Sequence, residues 1–207
     1  MFSRRDAASA AIAALVASLF AAPAYAQAPT GPPVQPPVQA QPLPGPSQPG
    51  QSSDPFGEEV VLEPRTIVFM AGNGTWDSAF ETLVDSFKSV YGFLQQQGIK
   101  PTGSAMTVYT ATDDTGFSYQ AAVPIADEPA NPPRGDITVG KSPGGKMLKF
   151  VHRGSYDSMD TTYEAITNYL DQKSLEAQDL FVEEYVTDPV TTPEDRLVVN
   201  VFVPVKQ

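Results

Sequence analysis

Two adjacent carboxylates, Glu183 and Glu184, stand inside an apolar run from Leu180 to Val186, flanked by Phe181 and Tyr185. A pair of carboxylates is the equipment of glycoside hydrolysis, where one acts as acid and the other as base or nucleophile. That chemistry needs both groups in one site. The run reads as a strand, and neighbouring strand residues point to opposite faces, so the two glutamates cannot work together. Glu183 shares its face with Phe181 and Tyr185. A single Glu between two aromatics is either solvated beside a rim or buried in an aromatic cleft, where an unpaired charge is costly. The residues alone leave both readings open.

Other spellings of chemistry fail on their surroundings. Gly135-Asp136-Ile137-Thr138-Val139-Gly140-Lys141-Ser142 fits the phosphate-loop pattern G-x-x-x-x-G-K-S. That loop must follow a strand and open a helix whose N–H groups hold phosphate. Here Pro132 and Pro133 precede it, Pro143-Gly144-Gly145 follows, and the β-branched interior suits a short strand. Gly140-Lys141-Ser142-Pro143-Gly144 spells a nucleophile elbow, but the residue after its Ser is a proline with no N–H for an oxyanion. His152 is the sole histidine and there is no cysteine, so a typical zinc site cannot be assembled. Its place before Arg153-Gly154 favours a structural role. Asp113-Asp114 lacks the acidic ladder of a calcium loop. No metal or cofactor is expected.

The elements that must position Glu183 come in two copies. Gly74-Thr75-Trp76-Asp77-Ser78 returns as Gly154-Ser155-Tyr156-Asp157-Ser158, and Val123-Pro124-Ile125 returns as Val203-Pro204-Val205, each 80 residues later. In the first copy, Arg65 to Met70 reads as a strand ending at the turn cluster Ala71-Gly72-Asn73-Gly74. Phe80, Leu83, Val84, Phe87, Tyr91 and Leu94 then fall on one helical stripe, started by Asp77 or Ser78 and stopped by Gly98. Ala105 to Thr110 and Phe117 to Val123 form a hairpin across Asp113-Asp114-Thr115-Gly116. A proline-rich loop from Glu128 to Arg134 joins the copies. In the second, Met147 to Val151 is a strand, and Met159, Tyr163, Ile166 and Leu170 mark a helix. Leu180 to Val186 and Leu197 to Val203 close the sheet. The predicted fold is α+β, a duplicated βαββ unit forming a pseudo-two-fold, mainly antiparallel sheet with two helices on one face. The seam between copies is a natural cleft for a small ligand. At the strand where the first copy has Thr107 and Tyr109, the second has Glu183 and Tyr185, so the carboxylate is asymmetric.

Of the 207 residues, the first 57 look unlike the rest. Met1 to Ala26 has Arg4 and Arg5, an Ala-rich apolar run and an Ala24-Tyr25-Ala26 cleavage pattern, which together read as a secretory signal. Residues 27–57 hold 10 of the 21 prolines, with Gln, Gly and Ser, and read as a disordered tether. The folded part is expected over residues 58–207, beginning near Val60. Export predicts a periplasmic or secreted protein with no stable membrane insertion after cleavage. The formal charge is −11, and losing Arg4, Arg5 and Asp6 (net +1) takes it to −12. Such a surface repels phosphate backbones, so nucleic acid is not expected as a partner.

The residues also carry a resemblance. Pro143-Gly144-Gly145-Lys146, His152-Arg153-Gly154-Ser155-Tyr156-Asp157, Tyr163-Glu164-Ala165-Ile166, Glu183-Glu184-Tyr185-Val186-Thr187-Asp188-Pro189 and Val203-Pro204-Val205 together resemble the GyrI-like effector-binding domain, over roughly Val60 to Lys206. The resemblance implies a duplicated βαββ fold. It implies that Glu183 matches the family's E-x-Y glutamate, sits in an aromatic cleft and faces cationic, aromatic ligands. Tyr156, Tyr163, Tyr185 and Trp76 are the candidate walls. The function it implies is a binding module for a small cationic or amphipathic aromatic compound, as sink or sensor. Its alternatives are a hydrolase with Glu183 as general base, and a protein-interaction module using the proline-rich arm, whose partner the sequence does not name.

Overall fold

The computed structural model describes residues 56–206 except 132 and 134. The signal segment and all but the last two residues of the tether lie outside the described residues. Eight strands and two helices follow one another as β1 (Glu58–Leu62), β2 (Thr66–Thr75), α1 (Ala79–Gln97), β3 (Met106–Thr112), β4 (Gly116–Pro124), β5 (Ile137–Lys141), β6 (Gly145–Gly154), α2 (Met159–Lys173), β7 (Phe181–Tyr185) and β8 (Leu197–Val203). Short 3-10 turns, Trp76–Ser78 and Tyr156–Ser158, lead into the two helices.

Every strand pairing is antiparallel, in the order β1-β6-β8-β7-β3-β4-β2-β5. The order is palindromic under exchange of the two copies, and its centre is the β3–β7 pair. Thr107 faces Glu183 across that pair. The repeat therefore places its one odd carboxylate against its own counterpart, on the pseudo-two-fold axis.

Each copy also has a leading strand that pairs with the other copy. β1 adds to β6 and β5 adds to β2. Only three residues join β1 to β2, and three join β5 to β6. In a flat sheet those joints would span six strand spacings, about 29 Å, which exceeds the ~15 Å reach of such a link. The sheet must curl until its ends meet. The two links do meet: Ser142 N–H donates to the Arg65 carbonyl at 2.9 Å, and Arg65 N–H donates to the Ser142 hydroxyl at 2.9 Å. Pro64 and Pro143 sit at the crossing, a kink where a missing N–H is tolerated. The run that spelled a phosphate loop is thus strand β5 and the start of this crossing.

The sheet has a core on each face. Leu83, Phe87, Val90 and Leu94 of α1, and Ile166 and Leu170 of α2, join Val68, Val123, Phe150 and Val201 on the helix face. Residues Ile67, Met106, Val108, Ala122, Met147, Val182 and Phe202 fill the concave face. Burying each larger side chain stabilises the fold by about 1.5–3 kcal/mol relative to exposure.

The expected turn at Ala71–Gly74 is absent, which corrects the sequence reading. β2 runs on to Thr75, with Gly72 opposite Tyr119 and Gly74 opposite Phe117. A Cβ would lie 2.8 Å from the Tyr119 hydroxyl and 2.9 Å from its ring at Gly72, and 2.7 Å from the Phe117 ring at Gly74. These glycines make room for aromatic rings rather than turning the chain.

Candidate ligand-binding cleft

Four tyrosines from four elements converge on one carboxylate. Glu183, on the central strand β7, is 1% exposed. Its Oε2 accepts from the hydroxyls of Tyr185 at 2.9 Å, Tyr109 at 3.1 Å and Tyr156 at 3.1 Å. Its Oε1 accepts from Tyr163 at 2.8 Å. β3 supplies Tyr109, the 3-10 turn before α2 supplies Tyr156, α2 supplies Tyr163, and β7 supplies Tyr185. Thr107, opposite Glu183, lies 3.3 Å from the Tyr185 hydroxyl.

Burial pushes the Glu183 carboxyl above its ordinary value of 4.5, while the four phenol donors pull the other way. Proton counting agrees with the upward direction. The Tyr109 and Tyr156 hydroxyls are 2.8 Å apart. Each phenol has one proton, so their mutual contact and their two contacts to Oε2 share two protons among three. A proton on Oε2 would complete the set. All four phenols are held well above their ordinary range, by burial first and by neighbouring charge or phenols after it, so they are donors at neutral pH.

Above Glu183 opens a cleft of about 500 Å³. Its walls include Trp76, Phe80, Tyr109, Tyr156, Met159 and Tyr163, and its mouth carries Asp77, Glu81, Asp157, Asp160 and Glu194. Among the described residues, no Lys, Arg or His lines it. Phe80 stacks on Tyr156 with ring centres 5.0 Å apart. Trp76, 44% exposed, stacks on Tyr109 at 6.4 Å, and its indole N–H donates to the Asp113 carbonyl at 2.8 Å.

The structure brings Glu183, Tyr156, Tyr163 and Trp76 to this cleft. Tyr185 is placed differently from the wall position expected of it. It lies beneath Glu183, 1% exposed and edge-on to Phe87, and it holds the carboxylate rather than lining the opening. Tyr109, Phe80 and Met159 were not among the expected site residues. Tyr109 was within reach, because it is the repeat counterpart of Tyr185. Phe80 and Met159 sat on the helical stripes and read as core.

Glu184 faces away from the cleft. Arg65 Nη2 donates to its Oε1 at 2.8 Å, and Asn200 Nδ2 to its Oε2 at 3.3 Å. His152 is buried between β6 and α2. Its Nε2 faces the Ser155 carbonyl at 3.1 Å, which can only accept, so Nε2 carries the proton and Nδ1 accepts from Thr162 at 2.7 Å. Burial pushes its pKa down. Among the described residues, no group of three or more His, Cys, Asp or Glu is arranged to hold a metal ion.

Residues 58–206 match the GyrI-like small molecule binding domain. The chain belongs to that family. No curated protein sequence matches this GyrI-like chain. Among solved structures it is similar to the C-terminal domain of EcmrR, with 13% identity, coverage of 73% of this chain and 97% of that one, and a TM-score of 0.61. Against the EcmrR chain in a DNA-bound transcription complex the TM-score is 0.62 at 13% identity, covering 73% of this chain and spanning only 57% of that one. SAV2435 bound to tetraphenylphosphonium is similar at 16% identity, 72% and 93% coverage, and a TM-score of 0.51. A Listeria innocua protein described as a hydrolase is similar at 10% identity, 73% and 92% coverage, and a TM-score of 0.52. At these identities the likeness is one of fold. The GyrI-like domain here is a small-molecule binding fold.

Proposed function

We propose that this GyrI-like domain is exported and binds a small cationic or amphipathic aromatic compound in the Glu183 cleft, as a sink or sensor. The observation that carries the reading is a buried carboxylate whose hydrogen bonds come from phenols, in an aromatic-walled cleft with no basic lining residue among the described residues. Phenols satisfy the oxygens but cannot neutralise the charge. A cation can, and the aromatic faces add attraction of about 0.5–2 kcal/mol each when desolvated. The tetraphenylphosphonium bound to SAV2435 is a ligand of that chemistry.

The test is calorimetric titration with a lipophilic aromatic cation and a neutral aromatic of the same shape. Glu183→Gln keeps the size and removes the charge. Cation binding should weaken by about 1–3 kcal/mol, the scale of a lost charge-assisted contact. Neutral-ligand binding should stay nearly constant. Glu184→Gln, on the opposite face, is the control. Equal losses from both variants, or none from either, would falsify the assignment.

A second reading, a hydrolase with Glu183 as general base, is favoured by the upward push that burial gives its carboxyl, which makes it a stronger base than a solvated glutamate. A hydrolase would turn a reactive ligand over, whereas a binder releases it unchanged. Mass spectrometry of the recovered ligand separates the two.

A further inference from the structure

Trp76 is the most exposed aromatic wall of the cleft. Its repeat counterpart, Tyr156, is buried and tied to Glu183. The turn that carries Tyr156 is capped by Ser155, whose hydroxyl accepts from the Asp157 N–H at 3.3 Å, whereas Thr75 gives the Trp76 turn no side-chain cap. What fixes Trp76 comes from outside the cleft. Its indole N–H donates to the Asp113 carbonyl at 2.8 Å, and its ring packs on Phe117 with centres 4.8 Å apart. Asp113 does not line the cleft; it opens the turn between β3 and β4. Its carboxylate accepts from the Thr115 N–H at 2.7 Å, the Thr115 hydroxyl at 2.6 Å and the Gly116 N–H at 3.0 Å. Its own N–H donates to the Gly116 carbonyl at 2.9 Å. An Asp that closes on the N–H groups following it locks a turn. A bulge between Tyr109 and Ala111 breaks the β3–β4 register just before this turn, and bulges re-aim the strand they interrupt. The carbonyl that meets the indole is thus held by the side chain of its own residue.

We propose that Asp113 is a positioning residue for this site: by locking its turn it fixes the plane of Trp76, and the fixed plane gives the cleft its affinity for flat, fused-ring aromatic cations. This rests on the reading of the Glu183 cleft as a site for aromatic cations. Trp76 lies within 28° of parallel to Tyr109, the same residue that donates to Glu183. A flat ring lying on an indole uses its whole face, so the indole must hold the right plane before contact. A loose indole has to be ordered on binding, and that cost is subtracted from the affinity. A propeller-shaped cation meets the wall with ring edges and has no single plane to match.

The experiment titrates N-methylacridinium, which is flat, and tetraphenylphosphonium, which is not, into the full chain by calorimetry. Asp113→Ala should weaken the flat cation about fivefold, the scale of ordering one side chain, and the propeller-shaped one less than about twofold. Asp113→Asn loses the charge but keeps the accepting oxygen, and should restore the parent affinity. Asp114→Ala removes the same charge from the same turn and should change neither ligand. Trp76 is the sole tryptophan, so emission from the free protein reports it alone. Its anisotropy should fall in Asp113→Ala and stay at the parent value in Asp113→Asn. Thr115→Ala deletes one of the three bonds at an exposed side chain, so it keeps the test open if Asp113→Ala does not fold; it should move both readouts the same way by less. Unchanged anisotropy in these two variants, equal losses for both cations, or an asparagine variant as weak as the alanine one overturns the positioning role and leaves the Glu183 site standing. Failure of both cations to bind the parent, or binding indifferent to Glu183→Gln, overturns the reading beneath it.

Discussion

Glu183 is held by donors that cannot cancel its charge, and this has a signature without any ligand. Its folded-state pKa is raised above 4.5 by burial. A carboxyl raised on folding contributes stability that is fully present below the unfolded value and is lost as pH rises through the folded value. Glu183→Gln removes that loss. The variant should be more stable than the parent near neutral pH, and the advantage should vanish once the pH falls below about 4. Chemical denaturation at a series of pH values checks this, and a pH-independent difference would contradict it. The sequence showed that Glu183 and Glu184 face opposite ways, because strand alternation is local. It left the burial of Glu183 open, because burial depends on Tyr109, Tyr156 and Tyr163 arriving from three other elements. Tyr185 was legible as a neighbour two residues along the strand. That it sits under the carboxylate rather than beside the opening depends on Phe87 of α1, which no local pattern reveals.

At the scale of elements, both helices and three strands of each copy (β2, β3, β4 and β6, β7, β8) followed from periodicity and the 80-residue repeat, and β5 from its β-branched interior. β1 did not, because Glu58-Glu59-Val60-Val61-Leu62 is short, opens on two acidic residues and is adjacent to a proline-rich stretch. The misread turn in β2 has an instructive cause. Gly72 and Gly74 carry the composition of a turn, yet they serve the rings of Phe117 and Tyr119 on β4. The tightest point of that pair is Gly116, where a Cβ would lie 2.2 Å from the Gly74 carbonyl oxygen. That neighbour is backbone and cannot swing aside. Gly116→Ala should therefore cost about 2 kcal/mol or more, through forced separation of β2 and β4. Trp76 is tied to the same hairpin through Asp113, so the variant should also shift Trp76 emission. A thermal midpoint within a degree of the parent would refute the packing argument.

For the molecule as a whole, the described residues contain no helix long and apolar enough to cross a membrane. Processing after Ala26 should leave a mature protein beginning at Gln27, which N-terminal sequencing of exported material checks. Deleting residues 27–54 should leave the thermal midpoint nearly unchanged, because that stretch has little apolar surface to bury. A fall of many degrees would mean that it packs on the domain. The crossing of the leading strands has a consequence for the order of folding. β1 emerges first from the ribosome, yet its partner β6 begins with Gly145, which pairs with Leu62. β5 waits in the opposite sense, closing on β2, which was made long before it. Neither copy can finish its own sheet, so a nascent chain truncated after Pro124 has no stable halfway house. The chain should commit only when the last strands are available, in a single slow, highly cooperative step dominated by distant contacts. A protein built this way stays threadable until its synthesis is nearly complete, which suits passage through a membrane before folding. Pulse-labelled hydrogen exchange during refolding should find β1, β2 and β8 gaining protection together.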